Sequence, residues 1–319
     1  MPTERKFRFG VLGGGASPDL LAARGREAER SGYSTFLVTD HLDLGGSHLA
    51  ELTPIPSLAY VAATTSTIRL GAAVFNHDLR HPAVLAREAA SLDVLSGGRF
   101  ELGIGAGHNE YEYDWAGIRF DRPRVRVDRF QEYVRVVKAI LEQESASYDG
   151  RFFQISEMPS VPRPVQVPRP PLMIGGTRTR MLSIAAREAD IVGINLNDMT
   201  GGTAGRMDER IGWIRAAAGD RWGGLELSNM VGTVIIGDGD RRDLLADELR
   251  RQKTRGVDFM PAGMSEEEIL DSPLALIGSV DRLVDDLLRW RERWGLSYVT
   301  VAYPVMEQFA PVVERLAGR

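Results

Sequence analysis

Residues 68–106, IRLGAAVFNHDLRHPAVLAREAASLDVLSGGRFELGIGA, decide the fold. IRLGAAVF (68–75) and FELGIGA (100–106) are short apolar runs with no polar face. Between them HPAVLAREAASLDVLS (81–96) carries a helical period, with proline in its first turn and Gly97-Gly98 after its end. Two strands apolar on both faces and joined by one helix pair in parallel, covered by helices. The same rhythm extends outward. Upstream, FRFGVLG (7–13) and STFLVT (34–39) are strands; Ser17-Pro18 opens the helix between them and Gly32 stops it, and PSLAYVAATTS leads helically into strand three. Downstream, PLMIGG (171–176), DIVGIN (190–195), LELSNMVGTVIIG and LSYVTVAY alternate with helical stretches ending at Ala189, in WIRAAAG and in SVDRLVDDLLRWRERWG. Eight strands, each but the last followed by a helix, predict an α/β fold, a (β/α)8 barrel; a doubly wound open sheet is the alternative.

The rhythm breaks in three places, which are expected to be insertions in a single domain over residues 1–319. Residues 107–124 are polar and aromatic without a period. Residues 144–170 contain a predicted surface hairpin, YDGRFFQI (148–155), and the proline-rich connector PSVPRPVQVPRPP (159–171). Residues 238–278 are expected to hang over the pocket as a lid.

Composition narrows the function. With 43% hydrophobic and 26% charged residues the chain is ordinary for a globular protein, and its net charge of -5 argues against nucleic acid as a partner. No cysteine is present, which excludes disulfides, thiolate nucleophiles and iron–sulfur clusters. No apolar run approaches the roughly 18 residues of a membrane span, and MPTERKFRFGVL lacks a leader's apolar stretch, so a cytoplasmic protein without a membrane partner is expected.

All five histidines lie between positions 41 and 108, mostly just after strands, and the carboxyl ends of strands are where a barrel builds its active site. Asp40-His41 ends strand two; it is either an acid/base pair or a capping aspartate with a histidine packed on it. Gly71, Ala72 and Ala73 either let a flat ligand approach the backbone or pack a narrow barrel layer. Gly103, Gly105 and Gly107 share one face of strand four, leaving room for a ring, and Asn109 and Glu110 follow where a proton donor would stand. Gly175-Gly176-Thr177-Arg178 opens a helix, which offers backbone N–H groups and a hydroxyl to a phosphate, or is simply a tight turn. The arginines at 119, 122, 124, 126 and 129 are either a solvated helix start or a basic rim for an anionic cofactor tail. No metal is expected, although histidines after three strands could converge on zinc. No G-x-S-x-G marks a serine nucleophile.

Thr39-Asp40-His41, Leu70-Gly71-Ala72-Ala73-Val74, G-x-G-x-x-x-N-E from Gly103 to Glu110, and Gly175-Gly176, in this order, resemble the luciferase-like monooxygenase superfamily, most closely its coenzyme F420-dependent oxidoreductases. The resemblance covers essentially the whole chain. It implies a (β/α)8 barrel holding a flavin or deazaflavin in its mouth, with a non-proline cis peptide at Ala73-Val74 backing the ring. It implies proton transfer by His41 and Glu110, contact of Asp40 with the deazaflavin, and Ala73, Val74, Asn76, Gly105, Gly107 and Asn109 around the ring. Gly175, Gly176, Thr177 and Arg178 are implied to hold the cofactor phosphate. Related sugar-phosphate dehydrogenases bind phosphate partly through lysine, and this chain has none between Lys138 and Lys253. They also carry tryptophan where this chain has Asp43-Leu44-Gly45-Gly46. Hydride transfer from F420 to a small-molecule substrate with an activated C=C or C=N bond is the expected reaction. FMN-dependent two-component monooxygenation and a non-catalytic flavin-binding barrel are the alternatives. A homodimer, and a separate reductase that regenerates the reduced cofactor, are the expected partners.

Overall fold

The computed structural model describes residues 5–42, 51–194, 202–255 and 264–319. In chain order its elements are β1 (Arg8–Leu12), α1 (Pro18–Arg30), β2 (Thr35–Val38), α2 (Pro54–Thr64), β3 (Arg69–Ala72), β4 (Phe75–Asn76), α3 (Pro82–Ser96), β5 (Phe100–Gly105), α4 (Glu110–Ala116), α5 (Pro123–Glu142), β6 (Ser145–Asp149), β7 (Gln154–Pro159), β8 (Leu172–Gly176), α6 (Thr179–Glu188), β9 (Ile191–Ile194), α7 (Ala204–Ala218), β10 (Glu226–Met230), β11 (Thr233–Ile236), α8 (Arg241–Arg255), α9 (Glu266–Leu270), β12 (Ala275–Gly278), α10 (Val280–Trp294), β13 (Leu296–Ala302) and α11 (Met306–Leu316). The parallel strands run in the order β3-β2-β1-β13-β10-β9-β8-β5, and β5 pairs back with β3, so the sheet closes on itself as the expected eight-stranded α/β barrel. All residues of β2 and β5 are buried, as strands covered on both faces must be.

Two compact units share the chain: residues 13–27 with 35–175, and residues 1–12, 28–34 and 176–319. The first contains β2 to β8 up to Gly175. Its helix α3 starts as the sequence predicts, on Pro82 with the His81 side chain accepting the Ala83 N–H at 3.3 Å, and ends on Gly97 in the left-handed region (φ 65°). The Ala73-Val74 peptide is cis, as the resemblance implies, and it separates β3 from β4. The predicted hairpin exists and is longer than expected, β6 pairing antiparallel with β7 from Ser145↔Pro159 to Asp149↔Gln154. The proline-rich connector is fastened rather than loose: Asp93, buried on α3, accepts the Gln166 N–H at 2.9 Å and its side-chain amide at 2.6 Å. The stretch 107–124, read as an insertion without a period, contains α4.

The second unit departs from expectation at strand seven. LELSNMVGTVIIG is not one strand. Val231 donates the last rung to the Thr300 carbonyl at 2.8 Å; Gly232 and Thr233 then both donate to the Leu274 carbonyl, and β11 leaves to pair in parallel with β12. Residues 238–278 therefore supply the other half of a small two-stranded sheet, whose helices α8 and α9 bury Leu245 and Ile269 against Ala275 and Ile277. Its residues 256–263 lie outside the described ones, as does His48 in the other unit. The last strand is also followed by a helix, α11, which Pro311 in its interior conceals from a sequence reading.

Candidate active site

The carboxyl ends of β2, β4 and β5, all in the first unit, bring together the residues singled out above. Asp40 is buried two residues past β2; its Oδ2 accepts the Asn76 N–H at 3.0 Å and an Arg80 Nη1 proton at 2.6 Å. The carboxylate thus ties the end of one strand to the turn after the next. Asn76 caps that turn by accepting the Asp78 N–H at 3.1 Å, and the same Oδ1 accepts the Tyr113 hydroxyl at 3.0 Å. Arg129 crosses from α5 to Asp78 at 2.8 Å and to Asp121 at 2.7 Å. These charges, Asp40 buried and the others half-buried, are paired and hydrogen-bonded, the condition under which burial is tolerated. Behind them His77 lies edge-on to Phe130 and Tyr133, and burial pushes its pKa down to about 4. Burial likewise raises the Tyr113 and Tyr133 phenols, so both remain protonated at neutral pH.

His41 is half-buried. Both oxygens of the buried Glu112 carboxylate lie within 3.0 and 3.1 Å of its Nδ1, and Glu112 also accepts the Leu42 N–H at 2.7 Å. The Asn109 amide nitrogen is 3.2 Å from the same Nδ1. The His108 ring stands perpendicular to His41 at 5.4 Å; desolvation and the adjacent imidazole lower its pKa. Glu110, on the first turn of α4, is exposed, and the carboxylate that reaches His41 belongs to Glu112 two residues on.

The glycines of β5 make room for protein rather than for open space. A Cβ at Gly103 would overlap the Ala72 carbonyl oxygen, and one at Gly105 would overlap Val74. The backbone step at Ala73-Val74 therefore sinks into the glycine row, leaving both residues half-buried as a shelf at the strand ends. Gly175 faces Val74 at ordinary contact distance, 3.5 Å, and Gly107 (φ 68°) abuts Tyr113 and Asn76. Gly71 is buried, its Cα facing the Glu101 carbonyl, so it serves packing.

Gly176, Thr177 and Arg178 belong to the second unit. There Arg178 is the N-cap of α6 without a side-chain cap bond, and the Thr177 carbonyl accepts from Arg210 at 3.1 Å. Of the five arginines in 119–129, Arg126 stacks on Phe120 at 3.7 Å, Arg129 pairs with Asp78 and Asp121, the exposed Arg119 reaches Asp121 at 2.9 Å, and Arg122 and Arg124 are also exposed. Glu112, Arg80, Asp78 and Tyr113 were not singled out in the sequence. The one available signal was Asn109-x-x-Glu112, the spacing of a helix start.

The luciferase-like monooxygenase family profile matches residues 6–297. An F420-dependent glucose-6-phosphate dehydrogenase of Kineococcus radiotolerans is 32% identical over 155 residues, 47% of this chain and 45% of that one. The chain spans 44% to 65% of the length of the first curated relatives it matches. Two solved structures share the fold along almost the whole chain. The coenzyme F420 dependent tetrahydromethanopterin reductase of Methanopyrus kandleri has a TM-score of 0.73 at 21% identity, covering 99% of both chains. A monooxygenase of Streptomyces bottropensis has a TM-score of 0.73 at 20% identity, covering 97% of both. With matched order of motifs, closed barrel and family profile over nearly all of its length, the chain belongs to the luciferase-like monooxygenase family.

Proposed function

We propose that this protein is an F420-dependent oxidoreductase that transfers a hydride between the deazaflavin and a small organic molecule, in the direction that reduces an activated C=C or C=N bond. One observation carries the reading: a single compact unit combines, at its strand ends, an imidazole held among the described residues at one nitrogen and a half-buried shelf, Ala73-Val74, seated on glycines. A shelf of that shape fits a planar ring, because the glycine row takes up Val74 and keeps bulk from rising at the strand ends. The related Kineococcus dehydrogenase supports the cofactor assignment.

In this reading Asp40, Ala73, Val74, Asn76, Gly105, Gly107 and Asn109 hold the ring, and Gly175, Gly176, Thr177 and Arg178 hold the phosphate. When bound and reduced, F420 supplies the hydride. The protein supplies orientation and the proton. Asp40 is held in place by Arg80 and the Asn76 N–H, and His41 donates the accompanying proton to the substrate as general acid. Glu110, exposed at the start of α4, is the second proton-transfer group in the same proposal. The absence of lysine between Lys138 and Lys253 favours reduction over oxidation of a sugar phosphate. A homodimer and a separate cofactor reductase complete the reading; sedimentation analysis tests the first.

Parallel fluorescence and calorimetric titrations with F420, FMN and FAD test the assignment. Tight binding of F420 alone, followed by anaerobic oxidation of reduced F420 with cyclic enones or imines, is the expected result. Preference for FMN together with an oxygen requirement replaces it with two-component monooxygenation. Binding without turnover of any kind leaves a non-catalytic flavin-binding barrel.

A further inference from the structure

Helix α4 begins with Asn109-x-x-Glu112, a spacing at which the N-cap and third helical side chains ordinarily satisfy the helix's own N–H groups. Here they are turned elsewhere. Asn109 makes no side-chain cap bond, and its amide lies 3.2 Å from His41 Nδ1. Glu112 directs both carboxylate oxygens at the same nitrogen, at 3.0 and 3.1 Å, and takes the Leu42 N–H at 2.7 Å. A missing N-cap bond destabilises a helix. Both side chains converge instead on a single imidazole atom at the end of another strand.

An ionised carboxylate only accepts hydrogen bonds. With Glu112 against Nδ1, the His41 proton resides on Nδ1. The Asn109 amide, whose oxygen and nitrogen exchange places by rotation, then presents its oxygen to that N–H. We propose that Glu112 is a positioning residue for His41: it fixes the Nδ1–H form of the imidazole and leaves Nε2 as the atom that exchanges a proton with the substrate. The consequence for turnover rests on the hydride-transfer reading; the protonation pattern does not.

The step balances as follows. In the reducing direction the hydride, with its two electrons, adds to one atom of the C=C or C=N bond. The other atom takes the proton from Nε2 of the His41 imidazolium, and His41 is left neutral with its remaining proton on Nδ1 against Glu112. In the oxidising direction Nε2 of the neutral ring accepts the proton. A neutral ring protonated on Nε2 and bare at Nδ1 can do neither at Nε2.

The test is long-range proton–nitrogen correlation on protein labelled with ¹⁵N-histidine, at pH 8, where ordinary imidazoles are neutral. His41 is assigned by its loss in His41→Gln. The expected wild-type spectrum shows a protonated Nδ1 and a bare Nε2. In Glu112→Gln, whose amide can donate to Nδ1, the Nε2–H form gains population; Glu112→Asp keeps a carboxylate and restores the Nδ1–H form. The His77 signal, from a ring outside this contact, reports that each variant is folded. A wild-type spectrum with Nε2–H, or a Glu112→Gln spectrum unchanged from wild type, overturns the proposal. With reduced F420 and cyclohex-2-en-1-one as probe, Glu112→Gln lowers kcat about 100-fold, the scale of a general acid's contribution, with the Kd for F420 unchanged. Loss of kcat without the shift in proton position also overturns it. If the proton pattern holds but no enone or imine oxidises the reduced cofactor, the hydride-transfer reading falls and the assignment of Glu112 stands.

Discussion

His77 enters the fold neutral, because burial against Phe130 and Tyr133 pushes its pKa down to about 4. In the unfolded chain the same ring takes up a proton below about pH 6.5. Between those values the unfolded state binds more protons, so stability falls as the pH drops and recovers as it rises. The loss reaches about 3 kcal/mol at pH 4. Urea unfolding followed between pH 7 and pH 4 is expected to show this slope, and His77→Gln to flatten it whatever its effect at pH 7. An equal slope in both proteins assigns the acid sensitivity elsewhere. Nothing in the sequence marks His77 as different from His41. Both follow strands and both adjoin an aspartate; only the packing of α5 decides that one ring is sealed and the other held at a single nitrogen.

At the scale of elements, the glycine row of β5 and the step between β3 and β4 are one fitted pair. Gly103→Ala sets a methyl against the Ala72 carbonyl and Gly105→Ala sets one against Val74. Overpacking of this kind costs about 1–3 kcal/mol, and Gly103→Ala is expected to cost more because backbone cannot swing aside as a side chain can. Urea midpoints rank the two. Residues 68–106 were legible because each signal agreed: apolar runs for β3 and β5, proline and diglycine at the ends of α3. The glycines were legible as a face, but not what fills it, since that depends on how deeply the neighbouring strand intrudes. Helix α4 was hidden because EYEYDWA is short and has no apolar stripe. With it went Glu112, whose carboxylate looks solvated until the helix turns it inward. The run LELSNMVGTVIIG reads as one strand because alternation continues through Gly232, while the exchange of partners there is a tertiary event.

At the scale of the molecule, the barrel's N-terminal strand depends on its last segments. Phe309 of α11 is fully buried and meets Phe9 edge-on at 5.8 Å, so Phe309→Ala is expected to destabilise by about 3–5 kcal/mol in denaturant titrations. The basic stretch offers a test at the same scale. Arg122 and Arg124 are exposed at the start of α5, where an anionic cofactor tail is proposed to meet them. Their joint replacement by alanine is expected to weaken F420 binding at low salt and to matter less as salt rises; unchanged affinity at low salt removes these residues from the proposal. Strand β1 pairs residue for residue with β13, from Arg8↔Tyr298 to Leu12↔Ala302. On the ribosome, Phe9 and Val11 are made long before their partners in β13. At roughly 5–20 residues per second the separation of 290 residues leaves that flank of β1 open for roughly 15 to 60 s during synthesis. Over that interval the nascent chain carries an unpaired, apolar edge, open to a chaperone or to wrong pairing.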